Sequence, residues 1–365
     1  MGEAEYRTDR GHAPRALPPS RPLTGIPVAG DPRAQQPSRQ WRSPDIADVH
    51  AVPRHQLSVA TLLAPGVLPV YAIAARRIGE RLGRPAQLVV PTDYARCGAD
   101  VDDVCFVCSV PYVLLARMSA IEMEVIAAPV LVGDRYGGRT VYFSDLIVRA
   151  DREERSFEDL AGLRWAFNEP FSHSGFLVVL HHLAEIGAAP SFARERIEAG
   201  YHDDAIRLVL EGQADWAAID SQVLDIWRRQ DPSLDRRLRV VATLGPSTIQ
   251  PVVASSRRLT VAERRATTDA LVDLADDPIA RPLLDAAGID RFVPAADADY
   301  ADIRRMFDRV EAAGLLPSWW WSRWEAEVGQ GLSRRSPERV LARVERAHRH
   351  PRPRRSSPRP SRPRS

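Results

Sequence analysis

Two hydrophobic periodicities alternate along the middle of this chain. Leu57-Ser58-Val59-Ala60-Thr61-Leu62-Leu63 has the composition and length of a strand. After the Ala64-Pro65-Gly66 turn, residues 68–82 place Val70, Ile73, Ala74, Ile78 and Leu82 on one helical face, and Gly83 closes that helix. The same logic predicts strands at 86–90, 104–110, 121–132, 140–149, 163–168, 194–199, 216–219, 238–243 and 252–255. It predicts helices at 112–118, 174–186, 202–211, 222–229, 260–276, 279–287 and 300–311, the fifth of them opened by a Thr260–Glu263 capping box. Regular strand–helix alternation implies an α/β fold with a mostly parallel sheet, and ligands at the carboxyl ends of its strands.

The pattern fails at both ends. Residues 1–56 are rich in recurring prolines without periodicity and are expected to be disordered. Beyond Gly314 the alternation degrades. The segment 311–332 carries Trp319-Trp320-Trp321 and Trp324, which either pack back as a helix or form an apolar patch that seeks a partner. Residues 333–365 form a basic, Pro/Ser-rich tail expected to be disordered, save for a short helix at 340–348.

Composition changes the picture in three ways. The 365 residues, 44% of them hydrophobic, suit a globular core, and no run approaches the roughly 18 apolar residues of a membrane span. The formal charge of +2 hides an acidic body and a basic tail, because residues 333–365 hold 12 Arg against two Glu. Every basic residue is Arg, which excludes lysine Schiff-base chemistry and the usual phosphate-binding loop that needs Lys. The tail alone suggests nucleic-acid binding, and nothing in the body supports it. Cys105-Phe106-Val107-Cys108 has C-x-x-C spacing but sits in an apolar run with no second cluster, so Cys97, Cys105 and Cys108 read as buried thiols. Residues 1–42 show no apolar stretch or cleavage signal, which predicts a chain not exported by the general route and therefore cytoplasmic. A misassigned start site would instead allow a periplasmic or cell-surface location.

The candidate chemistry lies between Asn168 and Ser221. Asn168-Glu169-Pro170-Phe171-Ser172-His173-Ser174-Gly175 joins a strand to a helix, and small hydroxyls beside unpaired helix N–H groups suit an oxyanion. Ser172 and Ser174 read equally as ordinary N-caps. His202 opens the next helix, where a neutral imidazole can donate to an anion without adding unfavourable charge. Asp220, at a strand end, would repel an anion unless it orients a donor or takes a ligand proton or amine. Tyr94 and Tyr142 sit at strand or loop ends. His181-His182 lacks metal-ligand spacing, and no metal or cofactor is expected.

Ordered segments tie the chain to a family. They include Pro91-Thr92-Asp93-Tyr94, Cys108-Ser109-Val110-Pro111-Tyr112, Tyr142-Phe143-Ser144-Asp145 and Phe157-Glu158-Asp159-Leu160-Ala161-Gly162. Ser172-His173-Ser174-Gly175, Tyr201-His202-Asp203-Asp204, Ala217-Ala218-Ile219-Asp220-Ser221 and Gly288-Ile289-Asp290 complete the set. From Leu57 to about Met306 the chain resembles the phosphate/phosphite/phosphonate substrate-binding proteins of ABC importers, which have the type 2 periplasmic-binding-protein fold. The resemblance implies two α/β lobes, one from 57–143 with 251–310 and the other from 144–250, closing on a ligand between them. It implies that Ser172 and Ser174 grip the oxyanion, that His202 donates to it, and that Tyr94 and Tyr142 contact it. His173 stands where the family often has Thr or Ser. Ser247-Thr248-Ile249-Gln250-Pro251 carries no acid, which weakens an aminoalkyl specificity and leaves phosphate, phosphite or a small organic phosphonate.

The expectation is therefore a non-enzymatic binding protein that delivers a small oxyanion to an ABC permease, or senses it. The alternative is a cytoplasmic enzyme on the same two-lobed fold, of the menaquinone or thiamine-pyrimidine pathway type, with His202 and Asp220 acting together.

Overall fold

The computed structural model describes residues 56–332, apart from 92–93, 95, 97–100 and 119–121. The expectations for residues 1–55, for 333–365 and for Cys97 lie outside the described residues. Two sheets form the frame. The first has the order β11-β4-β10-β3-β1-β2, built from β1 (Leu57–Thr61), β2 (Ala86–Val89), β3 (Val104–Phe106), β4 (Met123–Leu131), β10 (Val252–Ser255) and β11 (Ile289–Pro294). The second has the order β7-β6-β8-β5-β9, built from β5 (Val141–Arg149), β6 (Arg164–Phe167), β7 (Glu195–Glu198), β8 (Trp216–Asp220) and β9 (Leu238–Thr248).

Helices cover both sheets. They are α1 (Leu68–Leu82), α2 (Ser109–Arg117), α3 (Val178–Glu185), α4 (His202–Leu210) and α5 (Ser221–Gln230), then α6 (Val261–Val272), α7 (Arg281–Ala287), α8 (Ala301–Ala312) and α9 (Trp320–Leu332). The chain passes from the first sheet to the second between β4 and β5, and returns between β9 and β10. These passages run side by side, since Val141 of β5 pairs with Thr248 of β9. The result is a two-lobed α/β architecture.

The mostly parallel sheet expected from alternation is corrected to two mixed sheets. Pairing is parallel for β1 with β2 and β3, and for β6 with β7 and β8. It is antiparallel wherever β4, β5, β9, β10 or β11 takes part. Strands β4 and β5, which carry the chain out of one lobe, and β9 and β10, which bring it back, run against their neighbours.

Three local expectations also shift. The apolar run at 104–110 is not one strand: β3 stops at Phe106 and α2 begins at Ser109, with Pro111 tolerated in the first turn where no N–H partner is needed. The helix expected from 174 opens one residue earlier as a single π-type turn, His173–Leu177. Strand β11 was not predicted at all.

The Trp-rich segment packs back as helix α9. Trp320 and Trp324 are fully buried, in one apolar cluster with Phe307 of α8, Phe171 and Tyr94. Burying a large aromatic side chain removes roughly 150–250 Å² from water, worth about 4–6 kcal/mol before side-chain entropy. That explains why the segment is seated rather than left as a patch. The same cluster includes Ala60, Cys105 and Val125 of the first lobe with Leu146, Trp165 and Trp216 of the second. Trp165 and Trp216 stack at 5.2 Å with planes 4° apart, anchoring the second sheet to the π turn through Phe176 at 5.4 Å.

Candidate functional site

A cavity of about 300 Å³ lies between the lobes, and helix N-termini surround it. Cys108 precedes α2, Ser172 precedes the π turn, Tyr201 precedes α4 and Asp220 precedes α5; all four line the cavity. Each such terminus presents N–H groups without intrahelical partners and the positive end of a dipole. Four of them border one space, and each contributes the positive end of a dipole to it.

The π turn is built by its own residues. The Ser172 hydroxyl accepts a hydrogen bond from the Gly175 N–H at 3.1 Å. A Cβ at Gly175 would sit 1.9 Å from Asn168 Oδ1 and 3.2 Å from His202 Cε1, so any larger residue there must displace the Asn168 side chain. Ser144 of β5 donates its hydroxyl to the Ser174 carbonyl at 2.6 Å and ties the turn to the sheet. Ser174 Oγ then faces His202 Nε2 at 3.1 Å, both residues more than nine-tenths buried. A residue of the π turn and the first residue of α4 thus meet in the cavity wall.

Burial sets the charges. Desolvation lowers His202 to about 4, so the imidazole is neutral near pH 7 and acts as a hydrogen-bonding group, not a cation. Asp220 is pushed up to about 6 by desolvation, against the hydrogen bonds it accepts from Gln250 Nε2 and the Gln222 N–H, both at 2.8 Å. Glu169, which accepts from the Tyr94 hydroxyl at 2.6 Å, is pushed up to about 7 because the protein around it excludes water. Arg323 of α9 also lines the cavity and is engaged bidentately by Glu198 at 2.6 Å through each nitrogen.

Five of the seven sequence-predicted residues share this wall: Tyr94, Ser172, Ser174, His202 and Asp220. Tyr142 and His173 are not among its lining residues. They are buried behind it, their rings 6.0 Å apart, and desolvation lowers His173 to about 4. Ser172 and Ser174 line the cavity, whereas His173 between them is buried in the core.

Sequence reasoning did not single out Asn168, Glu169, Gln222, Gln250, Arg323 or Glu327, which all line the cavity. The strand end at Asn168-Glu169 was a visible signal. Nothing local marks Arg323 or Glu327, which arrive from a helix far along the chain. Among the described residues, no group of His, Cys, Asp and Glu is arranged to hold a metal ion. No described helix is long and apolar enough to cross a membrane.

Comparison with known proteins agrees with the two-lobed fold. Residues 69–300 match the family model described as ABC transporter, phosphonate, periplasmic substrate-binding protein. The fold is similar to that of PhnD1 from Prochlorococcus marinus, solved in complex with methylphosphonate. The TM-score is 0.63 at 18% identity, over 71% of this chain and 99% of that one. It is similar to a binding-protein component of an ABC phosphonate transporter from Pseudomonas aeruginosa, with TM-score 0.62 and 16% identity over 80% and 99% of the two chains. It is also similar to the alkanesulfonate-binding protein SsuA from Xanthomonas axonopodis pv. citri bound to MOPS, with TM-score 0.52 and 18% identity over 72% and 95%.

Proposed function

This chain belongs to the phosphonate periplasmic substrate-binding proteins of ABC transporters, and from that membership we propose that its interlobe cavity holds one phosphate, phosphite or small organic phosphonate. The family is one of binding proteins and not of enzymes, and nothing supports the dehydratase- or synthase-like alternative. The single observation that carries the ligand assignment is the meeting of Ser174 Oγ and His202 Nε2 at 3.1 Å on the wall of a cavity ringed by helix N-termini.

In this reading the oxyanion lies against Ser172, Ser174 and His202, all neutral, with helix dipoles supplying the field. Each hydrogen bond to a charged group contributes about 1.5–3 kcal/mol, so three supply about 4.5–9 kcal/mol and reach the micromolar range at the upper end. Asp220 then bears on the ligand's protonation. A carboxylate beside an anion is tolerated when a proton lies between them, so the bound species keeps one P–OH or brings another donor toward Asp220. Tyr94 closes the cavity from the first lobe. Tyr142 and His173 support the π turn from behind.

The family is periplasmic, and we place this chain's work outside the cytoplasmic membrane, delivering its anion to an ABC permease. Titration calorimetry with phosphate, phosphite and methylphosphonate tests the ligand. Binding by the wild type at micromolar affinity is expected, weakened about tenfold or more by Ser174→Ala or His202→Ala. Absence of heat with all three anions, or binding untouched by both substitutions, would refute the assignment.

A further inference from the structure

Helix α9 lies outside the residues that match the family, yet it sits across the seam between the lobes. Its hold on the second lobe has two parts. Trp320 donates its indole N–H to the Pro170 carbonyl at 2.8 Å, and Arg323 grips Glu198 at the end of β7. Its hold on the first lobe centres on Trp324, whose ring lies 5.8 Å from Tyr94 and whose N–H meets Met118 Sδ at 3.4 Å, while Trp320 and Trp321 pack at 5.6 and 5.9 Å on Phe307 of α8. Trp324 also packs at 5.1 Å on Phe171 of the second lobe, so one fully buried ring touches both.

Directly beside it, the Tyr94 hydroxyl donates to Glu169 across the cleft. Arg323 and Glu327 turn from the same helix to line the cavity. Hinge opening parts Tyr94 from Glu169, and it cannot do so while α9 stays attached on both sides. Either Trp324 leaves Tyr94 and Met118, or Arg323 and Trp320 leave Glu198 and Pro170.

We propose that α9 is a latch on the ligand site: Arg323 and Trp324 are positioning residues that hold the lobes together, and ligand exchange requires the helix to release one lobe. The latch rests on the binding-cleft reading for its purpose, but its mechanics can be tested with no ligand present. Cys108 lines the cavity between the lobes, whereas Cys105 is fully enclosed in β3. A thiol reagent therefore reports cleft opening at Cys108 and loss of the core at Cys105.

The experiment maps labelling rates by mass spectrometry on the full, ligand-free chain, for the wild type, Arg323→Ala, Arg323→Lys and Trp324→Leu. Arg323→Ala should label Cys108 about two- to fivefold faster, the scale of one half-buried ion pair. Trp324→Leu should exceed that, Arg323→Lys should restore part of the protection, and Cys105 should stay at the wild-type rate. Stopped-flow displacement of methylphosphonate should show dissociation accelerated by similar factors. Cys108 labelling equal to wild type in Arg323→Ala and Trp324→Leu would overturn the latch, as would Cys105 rising in parallel with Cys108. Should Trp324→Leu fail to fold, Arg323→Ala alone decides, because its ion pair is partly exposed at 34% and 24% for the two side chains. A wild type that binds no anion would refute the ligand assignment, while the labelling rates still decide the latch.

Discussion

Glu169 shows how one residue's surroundings can matter more than its identity. An ordinary glutamate ionises near 4.5, but this one holds its proton to about 7, because desolvation outweighs the hydrogen bond from Tyr94. Between those two values the folded chain keeps a proton that the unfolded chain has already lost. Stability therefore falls as pH rises through that window and levels off above about 7. Glu169→Gln removes the ionisation and still offers an oxygen to the Tyr94 hydroxyl. Thermal unfolding of the variant and wild type should differ little at pH 4, and the variant should be the more stable by roughly 1–3 kcal/mol at pH 8. A gap that is constant across pH 4–8 would show that Glu169 is not held protonated by burial. His202 moves the other way, to about 4, so anion binding should not gain from imidazole protonation anywhere above pH 5.

At the scale of elements, the site is a set of helix starts, and two of them, Ser172 and Asp220, do two jobs. Asp220 caps α5 through the Gln222 N–H and faces the cavity as well. The two jobs separate by substitution. Asp220→Asn keeps an oxygen for the cap, and the Gln250 amide can rotate to meet the new NH₂. Asp220→Ala loses the cap and should unfold with about 1–2 kcal/mol less stability than Asp220→Asn in urea titrations. If the two variants are equally stable, the cap contributes nothing and Asp220 is held for the ligand alone. Helix α1 was legible in full, because Val70, Ile73, Ala74 and Ile78 mark one face and Gly83 takes the left-handed end at φ 64. Strands β1 and β10 were legible for the same reason, as short apolar runs bounded by turns. The split of 104–110 into β3 and α2 was not, since Val107 and Val110 are apolar in either state and only the tertiary frame decides. Strand β11 was hidden by its mixed sequence, Ile289–Pro294, which pairs at a sheet edge and needs no continuous apolar face. Ser172, Ser174 and His202 were legible as helix starts. Which side His173 would face depended on a π turn that no periodicity announces.

For the whole molecule, the decisive feature is that the largest apolar cluster ignores the lobe boundary. Val125 and Leu115 of the first lobe share it with Trp165 and Phe176 of the second, and Ile303 and Phe307 of α8 lie between them. Helix α8 is pinned to the second sheet by Asp302, which accepts from Thr248 at 2.8 and 2.9 Å, and it packs on α2 of the first lobe as well as on α3 of the second. Further contacts on the other flank of the cleft reinforce this: Tyr136 donates to Asp225 at 2.8 Å, and Gln222 to the Ala287 carbonyl at 2.9 Å. Neither lobe can lose its structure while the other keeps a complete core. Such shared burial predicts one cooperative unfolding transition, with calorimetric and van't Hoff enthalpies equal, in place of one transition per lobe. A ligand seated between the lobes then shifts that single transition as a unit. At a hundred times its dissociation constant the gain is about 2.7 kcal/mol, with no new shoulder in the endotherm. Two resolved endotherms, only one of them moved by methylphosphonate, would mean that the lobes are energetically separate and that the anion belongs to one of them.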